Sequence, residues 1–521
     1  MKHYRISEIK TNIDEEIAVL PVRVAKKLRI NESEIVKWEI RKKSIDSRQK
    51  PDIKLVYTVD FWCEKNLNAD KIKGLSVVDE EDEKVPEALM GSEKLIGRPI
   101  VVGMGPCGIF AALTLAKRGY KPLVIDRGPA MDKRIAAVDN FRKAHILDPE
   151  ANMLFGEGGA GTFSDGKLTT GIKDAHIREV LKTFADAGAG EEIMYLAKPH
   201  IGTDVLRKII VNLRNEIIKN GGEVLFSTKL ESIIIEDGKI VSVKLSSLDE
   251  EVRTNALILA IGHSARDTFE LINQNALDME QKNFSIGVRM EHPQKLIDEA
   301  QYGKEAIEKY GDLLPPADYK VSYKASNGRG VYSFCMCPGG EVVVCSTKDG
   351  ELCVNGMSNR KRDSGTANSG ILCDVRREDY NNGNPEDVLA GVRFQEKYEK
   401  LAFENGRANF EPPTASMKDF LEKKSPQIDN SLPLFAAESI REAISDFARK
   451  IKDFDNPDAV IKAVETRSSS PVRILRGKNG ESNIDGIYPA GEGAGYAGGI
   501  TSAACDGIKI ANHLIERFSN K

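Results

Sequence analysis

The first eighty residues alternate short apolar runs with charged segments. We interpret EEIAVLPVRV and DIKLVYTVDFW as strands and KKLRI and KKSIDSR as helix-like segments, the pattern of a small α+β module over residues 1–80. The acidic, weakly periodic stretch SVVDEEDEKVPEALMGSEK follows this module. It predicts a linker over residues 81–96.

A different pattern begins at RPIVVGMGPCGIFAALTLAKRGYKPLVIDRG, where an apolar strand, a glycine turn, a helix and a second apolar strand follow one another. Thr203 is a good N-cap for the amphipathic segment TDVLRKIIVNLRNEIIKNGG, which ends at a glycine pair. The Asp-Gly step in SIIIEDGKIVSV predicts a hairpin. RTNALILAIGHSARD predicts a buried strand that ends at a glycine.

Residues 281–460 show a different pattern of predicted strands and helices from the segments on either side of them. FSIGVRMEH and VYSFCMCPGGEVVVCS are strand-like, an Asn/Gly-rich stretch follows, and FAAESIREAISDFARKI is a helix. After residue 461 the chain returns to a buried strand, a glycine turn and a helix in GIYPAGEGAGYAGGITSAACDGIKIANHLIERF. We therefore predict an α/β protein in which an α+β domain is inserted.

The pattern GxGxxG occurs three times, and its context separates the three copies. Gly103, Gly105 and Gly108 follow the strand PIVV and open a helix, and Asp126 ends the next strand. A dinucleotide site needs a tight turn, a close backbone approach to pyrophosphate and close helix–strand packing at these glycines, and a carboxylate for the ribose hydroxyl. This copy meets all of these demands, so the alternative, a βα turn without a nucleotide, is disfavoured.

The second copy, at Gly156, Gly158 and Gly161, has no apolar strand before it and no clear helix after it. It is therefore not a second nucleotide fold. Closely spaced glycines let a backbone lie flat against a planar ligand. A flexible surface loop is the alternative interpretation.

The third copy, at Gly493, Gly495 and Gly498, lies between the strand GIYPAGE and a helix that begins near Thr501. A helix N-terminus offers backbone donors and the positive end of the helix dipole to an anionic group. We expect this turn to contact an anionic part of a ligand.

Composition narrows the class of protein. The chain has 521 residues, 30% of them charged, and no apolar run near the roughly 18 residues that a membrane span needs. The first residues are charged rather than apolar, and the eight cysteines include no CxxC, so we expect a cytoplasmic protein in a reducing compartment. The seven histidines form no HExxH, which predicts no metal site. A net charge of −4 makes a nucleic-acid partner improbable on electrostatic grounds.

The chain resembles FAD-dependent oxidoreductases of the glutathione-reductase-like superfamily and, more narrowly, a bacterial set of FAD-dependent dehydrogenases. The similar segments are GMGPCGIFAALTLAKRGYKPLVIDRG, LFGEGGAGTFSDGKL, ALILAIGHSARDT, SFCMCPGG, ETRSSSPVRI and GIYPAGEGAGYAGGITSAACDGIKIA. The resemblance implies a Rossmann-like FAD-binding domain with a β-meander, built from residues 97–280 and 461–521. Residues 281–460 would be the inserted substrate domain, and the N-terminal module stays unassigned.

By this resemblance, the three glycines of the first copy would hold the FAD pyrophosphate and Asp126 the adenosine ribose. Glu492 would reach the ribityl chain, where many relatives carry the shorter Asp. Backbone donors at the start of the last helix would favour the negative charge that develops on the reduced flavin ring. The residues implied in cofactor binding are Gly103, Gly105, Pro106, Cys107, Gly108, Asp126, Arg127, Gly158, Gly159, Gly161, Thr162, Gly262, Gly491, Glu492, Gly498, Gly499, Ile500 and Thr501.

Only one nucleotide fold has a complete βαβ context, and the chain has no CxxxxC redox pair of the kind that disulfide reductases carry. If NADH or NADPH is a partner, we therefore expect it to bind transiently in the inserted domain. The implied reaction is the transfer of hydride or electrons between FAD and a small-molecule substrate.

Four residues are candidates for the reaction. Arg467 and Arg473, in ETRSSSPVRILR, present planar forks suited to an anionic substrate, although structural salt bridges are an equal alternative. His292 is a possible proton donor, with an ordinary surface histidine as the favoured alternative. Cys337 would lie at a turn near the flavin or substrate, or would be a small buried hydrophobe. On a strand, Cys335 and Cys337 would share one face.

A second function class stays open at this point. Related folds occur in RNA-modifying flavoproteins, and the N-terminal module has no other explanation, so a flavoprotein acting on RNA or serving as a binding protein is the alternative. The acidic net charge counts against it. Salt-dependent RNA binding would favour it, whereas rapid flavin bleaching by NADH or NADPH would favour the dehydrogenase.

Overall fold

The computed structural model describes residues 1–79 and 85–520. The start of the predicted linker, residues 81–84, lies outside the described residues, as does Lys521 at the end of the predicted C-terminal segment.

The N-terminal module is a four-stranded antiparallel sheet in the order β2-β3-β1-β4 with one helix packed on it. Its elements are β1 (Lys2–Asn12), α1 (Leu20–Leu28), β2 (Ile35–Asp46), β3 (Lys54–Cys63) and β4 (Leu75–Val77).

Two predictions within this module are wrong. The run EEIAVLPVRV is not a strand, because Leu20, Val24 and Leu28 bury one face of α1 at helical spacing and Pro21 occupies the first turn. The segment KKSIDSR is not helical, since most of it forms the end of β2 and pairs with β3.

A five-stranded parallel sheet forms the centre of the next unit, in the order β23 (Ile487–Pro489), β12 (Leu257–Leu259), β6 (Ile100–Val102), β7 (Leu123–Ile125) and β8 (Glu223–Leu225). A short strand, β5 (Glu93–Lys94), precedes it. The elements that follow are β6 (Ile100–Val102), α2 (Pro106–Lys117), β7 (Leu123–Ile125), α3 (Met131–Ala144), α4 (Ile177–Phe184), α5 (Thr203–Lys219), β8 (Glu223–Leu225), β9 (Leu230–Glu236), β10 (Lys239–Leu245), β11 (Val252–Arg253), β12 (Leu257–Leu259) and α6 (Arg266–Gln274).

The predicted hairpin is confirmed in a three-stranded meander of β9, β10 and β11. Asp237 and Gly238 both have positive φ, as a two-residue hairpin turn requires. The predicted helix from Thr203 is also present, but Gly202 occupies the cap position and Thr203 is the first helical residue.

The inserted unit is built on a six-stranded sheet in the order β15-β16-β19-β14-β21-β20, with a separate hairpin of β17 and β18. Its elements are β13 (Met279–Gln281), β14 (Phe284–Pro293), α7 (Gln294–Tyr302), α8 (Lys304–Tyr310), β15 (Ser322–Lys324), β16 (Gly330–Cys337), β17 (Glu341–Cys345), β18 (Cys353–Met357), β19 (Thr366–Val375), α9 (Ala390–Asn405), β20 (Thr414–Ser416), α10 (Met417–Leu421), α11 (Pro426–Asp429), α12 (Leu434–Lys450) and β21 (Val460–Glu465).

The last segment returns to the parallel sheet. It contains β22 (Val472–Ile474), β23 (Ile487–Pro489), α13 (Ile500–Arg517) and β24 (Phe518–Ser519), and β23 pairs in parallel with β12. The predicted boundary at residue 461 falls inside β21, which pairs with β14 of the inserted sheet. The domain boundaries stay predictions.

The parallel sheet is covered by α2 and α13, which pack against each other through buried alanine, isoleucine and leucine side chains. Small residues keep these helices close. A Cβ at Gly507 would lie 2.2 Å from the carbonyl oxygen of Cys107. Among the described residues, none of the helices combines the length and the apolar character needed to cross a membrane.

Candidate functional site

A cavity of about 350 Å³ lies at the carboxyl ends of the parallel strands. Val102 at the end of β6, Asp126 after β7, Ala260 after β12 and Glu492 after β23 all line it. Ligands of open parallel α/β sheets bind at this edge, because the strand ends and the helix N-termini that follow them converge there.

The first glycine turn borders the cavity and cannot carry side chains at two of its three positions. Gly103 has φ of 102°, and a Cβ there would lie 2.3 Å from the carbonyl oxygen of Ala260. A Cβ at Gly108 would lie 1.8 Å from the carbonyl oxygen of Gly103, inside the contact of α2 with β6. At Gly105 a Cβ would meet only the Cα of Gly159, at 3.8 Å. The turn is therefore compact on its protein side and open on its cavity side.

Asp126 holds this turn in place. Its buried carboxylate accepts hydrogen bonds from the backbone N–H groups of Met104, at 2.8 Å, and Gly128, at 2.9 Å. Burial raises the pKa of Asp126, and the two N–H groups oppose that shift. The side chain also lines the cavity. The same carboxylate thus shapes the turn and faces the place where a ribose hydroxyl is predicted.

Arg127 lines the cavity beside Asp126, but its fork is engaged within the protein. It donates to Glu150 at 2.5 Å and to Asp267 at 2.8 Å, and its guanidinium stacks on Phe155 at 4.3 Å. The edge of the guanidinium group that carries its hydrogen-bond donors is therefore engaged within the protein. A ligand can contact only the outer surface of the group.

The second glycine copy is not a flexible surface loop, because residues 151–158 are buried against the first turn. The N–H of Gly158 donates to the carbonyl oxygen of Met104 at 2.8 Å, and a Cβ at Gly159 would lie 2.8 Å from the Cα of Gly105. Gly159 and Gly161 line the cavity, whereas Gly158 and Thr162 lie behind it. The two glycine segments therefore pack directly on each other and together form one side of the cavity.

The C-terminal turn forms another wall of the cavity. Gly498, Gly499 and Ile500 line the cavity at the start of α13. Thr501 lies behind this wall and donates to the carbonyl oxygen of Leu168 at 2.8 Å. Gly491, whose φ is 74°, packs on Cys107 away from the cavity.

The segment after β12 adds groups that the sequence analysis did not single out beyond Gly262. His263 Nδ1 lies 3.4 Å from Glu492 Oε1, and both residues line the cavity. Within the described part of the chain, His263 Nε2 and Ser264 Oγ are buried without a hydrogen-bond partner. Unsatisfied buried polar atoms at a cavity indicate a ligand that supplies their partners. The signal in the sequence was GHS directly after a buried strand.

These features fit a bound dinucleotide. The cleft offers glycine backbone, the N-termini of α2 and α13, and unsatisfied polar atoms at one edge of the parallel sheet. Of the residues predicted to bind cofactor, those that line the cavity are Gly103, Gly105, Pro106, Cys107, Asp126, Arg127, Gly159, Gly161, Gly262, Glu492, Gly498, Gly499 and Ile500. Those that pack behind it are Gly108, Gly158, Thr162, Gly491 and Thr501.

Of the four reaction candidates, only Arg467 reaches the cavity. Its fork is bound to Glu399, with Nε and Nη2 donating at 3.0 and 2.8 Å. Arg473 lies outside the lining, 3.7 Å from Glu280. His292 is buried rather than exposed, with Nε2 2.7 Å from the carbonyl oxygen of Phe454, and burial lowers its pKa.

The two cysteines of β16 do not lie on a regular stretch of strand, as the prediction assumed. The pairing of β16 with β19 shifts by one residue between Phe334 and Cys337, and Cys335 has φ of 43°. This bulge turns Cys335 toward the cavity, while Cys337 is fully buried behind it.

A buried charge cluster, which the sequence analysis did not identify, lies next to this bulge. Lys167 lines the cavity, forms an ion pair with Asp165 at 3.2 Å and donates to the carbonyl oxygen of Met336. Asp165 also binds Arg362 at 2.5 Å and accepts a hydrogen bond from Ser358. The single carboxylate of Asp165 is thus paired with two cations, Lys167 and Arg362.

Residues 283–468 match a family model described as FAD-dependent protein, C-terminal domain-like. Residues 3–62 match a second model, a domain of unknown function. Over 534 aligned positions the chain is 43% identical to a protein of Clostridium beijerinckii whose name is "Uncharacterized protein", with 99% of each chain covered. The chain belongs to this FAD-dependent family. The prediction that FAD is its cofactor is confirmed. The predicted α/β fold class is confirmed by the five-stranded parallel sheet.

Two other known proteins show more distant similarity, because they match a smaller part of the chain or align with it less closely. Digeranylgeranylglycerophospholipid reductase 2 of Methanococcoides burtonii is 28% identical over 172 residues, which are 31% of this chain and 37% of that reductase. The crystal structure of L-proline dehydrogenase from P. horikoshii aligns with a TM-score of 0.34 at 13% identity, covering 81% of this chain and 94% of that one.

A Gly499→Val substitution tests whether the start of α13 stabilises the reduced cofactor of this FAD-dependent family. Gly499 has an extended backbone, and a Cβ there would meet no heavy atom of the described residues within 4 Å, so the protein itself tolerates valine. We expect the flavin potential, measured by equilibrium dye titration, to fall by about 10–40 mV as the ring is displaced from the helix terminus. Gly171→Val, at an exposed and open position away from the cavity, is the control. An unchanged potential in the Gly499 variant would mean that α13 only packs.

Proposed function

We propose that the protein is a dehydrogenase or reductase that transfers hydride or electrons between FAD and an anionic small molecule, with NADH or NADPH binding transiently. One observation carries this proposal. The cavity bordered by the three glycine segments is also lined by Phe334, Cys335 and Asn355 of the inserted unit. A substrate held by the inserted unit would therefore share a space with the cofactor.

FAD, when bound, supplies the two-electron chemistry, and the chain's residues position the substrate and exclude water. Phe334, Leu154 and Ile500 give the cavity apolar walls, and Asn355 and Ser468 offer hydrogen bonds. Such a lining holds a small molecule through shape and a few polar contacts.

Lys167 is the group we propose for the anionic part of the substrate. Although burial opposes its charge, the pKa of Lys167 is raised by the nearby acidic groups Cys337, Asp165 and Cys335. Lys167 is thus protonated at neutral pH. Because Arg362 already neutralises Asp165, a second anion at Lys167 is electrostatically favoured.

The nicotinamide partner is proposed to use the same cavity in turn. Within residues 1–79 and 85–520, the five-stranded sheet is the only parallel sheet of more than two strands, so a separate nucleotide fold for NADH or NADPH is absent there. A shared cavity supports alternating binding. The test is anaerobic mixing of the oxidised protein with each nicotinamide in a stopped-flow spectrometer, followed by steady-state analysis. Flavin bleaching and a ping-pong pattern are expected, and bleaching by neither nicotinamide would contradict their role.

Lys167→Met is expected to raise the Kd or KM of the anionic reactant by about tenfold to a hundredfold, because one charge-assisted contact is lost. FAD content and the maximal rate of flavin reduction should change little, since a contact made equally in ground and transition states affects saturation alone. Lys198→Met is the matched control, because Lys198 is an exposed surface residue paired with Asp318. If Lys167→Met and Lys198→Met had the same Kd or KM for the anionic reactant, Lys167 would not be the group that binds it.

A further inference from the structure

The bulge that turns Cys335 to the cavity is held by two cations. Arg289, which is fully buried, donates through Nη1 to the carbonyl oxygen of Cys335 at 2.9 Å. Lys167 donates to the carbonyl oxygen of the next residue, Met336. Arg289 is itself held by a 2.9 Å hydrogen bond from Nη2 to Glu465. The left-handed backbone at Cys335 is thus stabilised by contacts from two separate segments, and its thiol has a defined direction.

Cys335 and Cys337 differ in exposure and in the direction of their pKa shifts. The thiol of Cys337 is fully buried and donates to the carbonyl oxygen of Cys335 at 3.2 Å, whereas Cys335 is half-buried and lines the cavity. The thiol of Cys337 lowers the pKa of Cys335, and the charges of Lys167 and Arg289 lower it further, although burial opposes this shift. The neighbouring side chain of Cys335 and burial raise the pKa of Cys337. Of the two sulfurs, that of Cys335 is the one whose ionisation the surrounding charges favour.

The bulge lies at the same end of the cavity as the start of α13. Thr501 donates to the carbonyl oxygen of Leu168, and the adjacent Lys167 donates to Met336. This chain of contacts joins the C-terminal turn, the second glycine segment and the two cysteines. Cys335, Gly499 and Ile500 line the same cavity, so a cofactor part bound there shares that space with the Cys335 thiol.

A second cysteine pair in this protein provides a comparison for Cys335 and Cys337. Cys345 and Cys353 stand directly opposite each other on β17 and β18, buried in an apolar cluster. Their mutual hydrogen bond and burial raise the pKa of Cys353, and neither residue lines the cavity. Cys345 and Cys353 therefore serve as a buried reference pair away from the cavity.

We propose that Cys335 and Cys337 form a redox-active dithiol–disulfide pair that exchanges two electrons with FAD bound in the same cavity. In the oxidising direction, the S–H bond of Cys337 breaks and an S–S bond forms between the two sulfurs. One proton and two electrons leave the pair and convert oxidised FAD to its singly protonated reduced form. The reverse step restores the thiolate and the thiol. The inference rests on FAD as the cofactor and not on the anionic substrate proposed above.

Reductive titration tests the stoichiometry. The holoprotein, oxidised under air and then made anaerobic, is titrated with dithionite while the flavin absorbance is followed. We expect wild type to take up four electrons per FAD, and Cys335→Ser and Cys337→Ser only two. Cys353→Ser is the matched control and should behave as wild type. Uptake of two electrons by wild type, or of four by Cys335→Ser, would overturn the proposal.

Thiol trapping gives a readout that does not depend on flavin activity. The holoprotein is equilibrated in glutathione buffers of increasing oxidised fraction, and its free thiols are then alkylated. The mass of the peptide that contains Cys335 and Cys337 is measured by mass spectrometry. We expect this peptide to lose both alkyl groups together, whereas Cys345 and Cys353 keep theirs once the protein is denatured for labelling. Independent alkylation of Cys335 and Cys337 at every buffer ratio would overturn the proposal.

The pH dependence of labelling in the reduced protein supplies a further check. Because the thiolate is the reacting form, an ordinary cysteine is alkylated about tenfold faster per pH unit below a pKa of about 8.5. With a lowered pKa, the rate at Cys335 should be flat from pH 7 to about 8.5. A tenfold rise per unit at Cys335 would contradict the thiolate. If the NAD(P)H test fails while the four-electron uptake holds, only the proposed function fails.

Discussion

Gly108→Ala is expected to yield a colourless and thermally destabilised protein. The new Cβ would lie 1.8 Å from the carbonyl oxygen of Gly103 and must push α2 away from β6. Such overpacking typically costs about 1–3 kcal/mol of stability. The displacement also moves the turn that faces the cavity, so bound FAD, measured by absorbance after denaturation, should fall at least about tenfold.

Gly105→Ala separates cofactor contact from packing. Here the Cβ meets only the Cα of Gly159, at 3.8 Å, so we expect the thermal midpoint of the FAD-free protein to match that of wild type. FAD content should nevertheless fall about as far as in the Gly108 variant, because the methyl group enters the cleft on its open side. Gly171→Ala controls for the loss of a glycine at an open, exposed position. A Gly105 variant with full FAD content would contradict a close backbone approach at this residue.

Glu399→Gln is expected to lower the free energy of unfolding by about 3–5 kcal/mol, the usual consequence of removing one partner from a buried ion pair. Glu399 is fully buried and binds two forks, those of Arg467 and Arg266, the latter through two hydrogen bonds of 2.8 Å. Although burial opposes ionisation, the two arginines lower the pKa of Glu399 far below its usual value. Neutral glutamine would leave two buried cations without their shared anion.

The contribution of Glu399 to the free energy of unfolding changes with pH in a defined direction. Because the folded-state pKa of Glu399 is lowered, its stabilisation is complete above about pH 4.3 and is lost as the pH falls further. Urea unfolding of wild type and of Glu399→Gln, in the presence of the same excess of FAD, should therefore converge at acidic pH. A constant difference across the pH range would contradict this account.

Arg467→Lys distinguishes the two roles weighed for this residue. If its fork serves Glu399, lysine should lower stability and leave saturation by the anionic reactant unchanged. If its fork serves the substrate, saturation should change while stability stays the same. Both quantities are measured on one preparation, with Glu396→Gln as the control, since Glu396 contacts Arg266 only at 3.8 Å.

Local patterns in the sequence were sufficient for the cofactor-binding framework. The first glycine turn, the strand that ends at Asp126 and the hairpin at Asp237 depend on backbone requirements of a few neighbouring residues, and each is present in the structure. The return of the last segment to the parallel sheet also followed from its repeated strand–turn–helix pattern. These features are readable because the physical constraint and the residues that meet it are adjacent in the chain.

The reacting end of the cavity was decided by tertiary structure. Arg467 is bound to Glu399, Lys167 reaches Met336, and Arg289 contacts Cys335, all between segments far apart in the chain. The direction of Cys335 depends on a one-residue register shift against β19, and strand alternation by itself does not predict that shift. These side chains contact residues that are distant in the sequence and come close only when the chain folds. The spacing of residues along the chain therefore does not reveal these contacts.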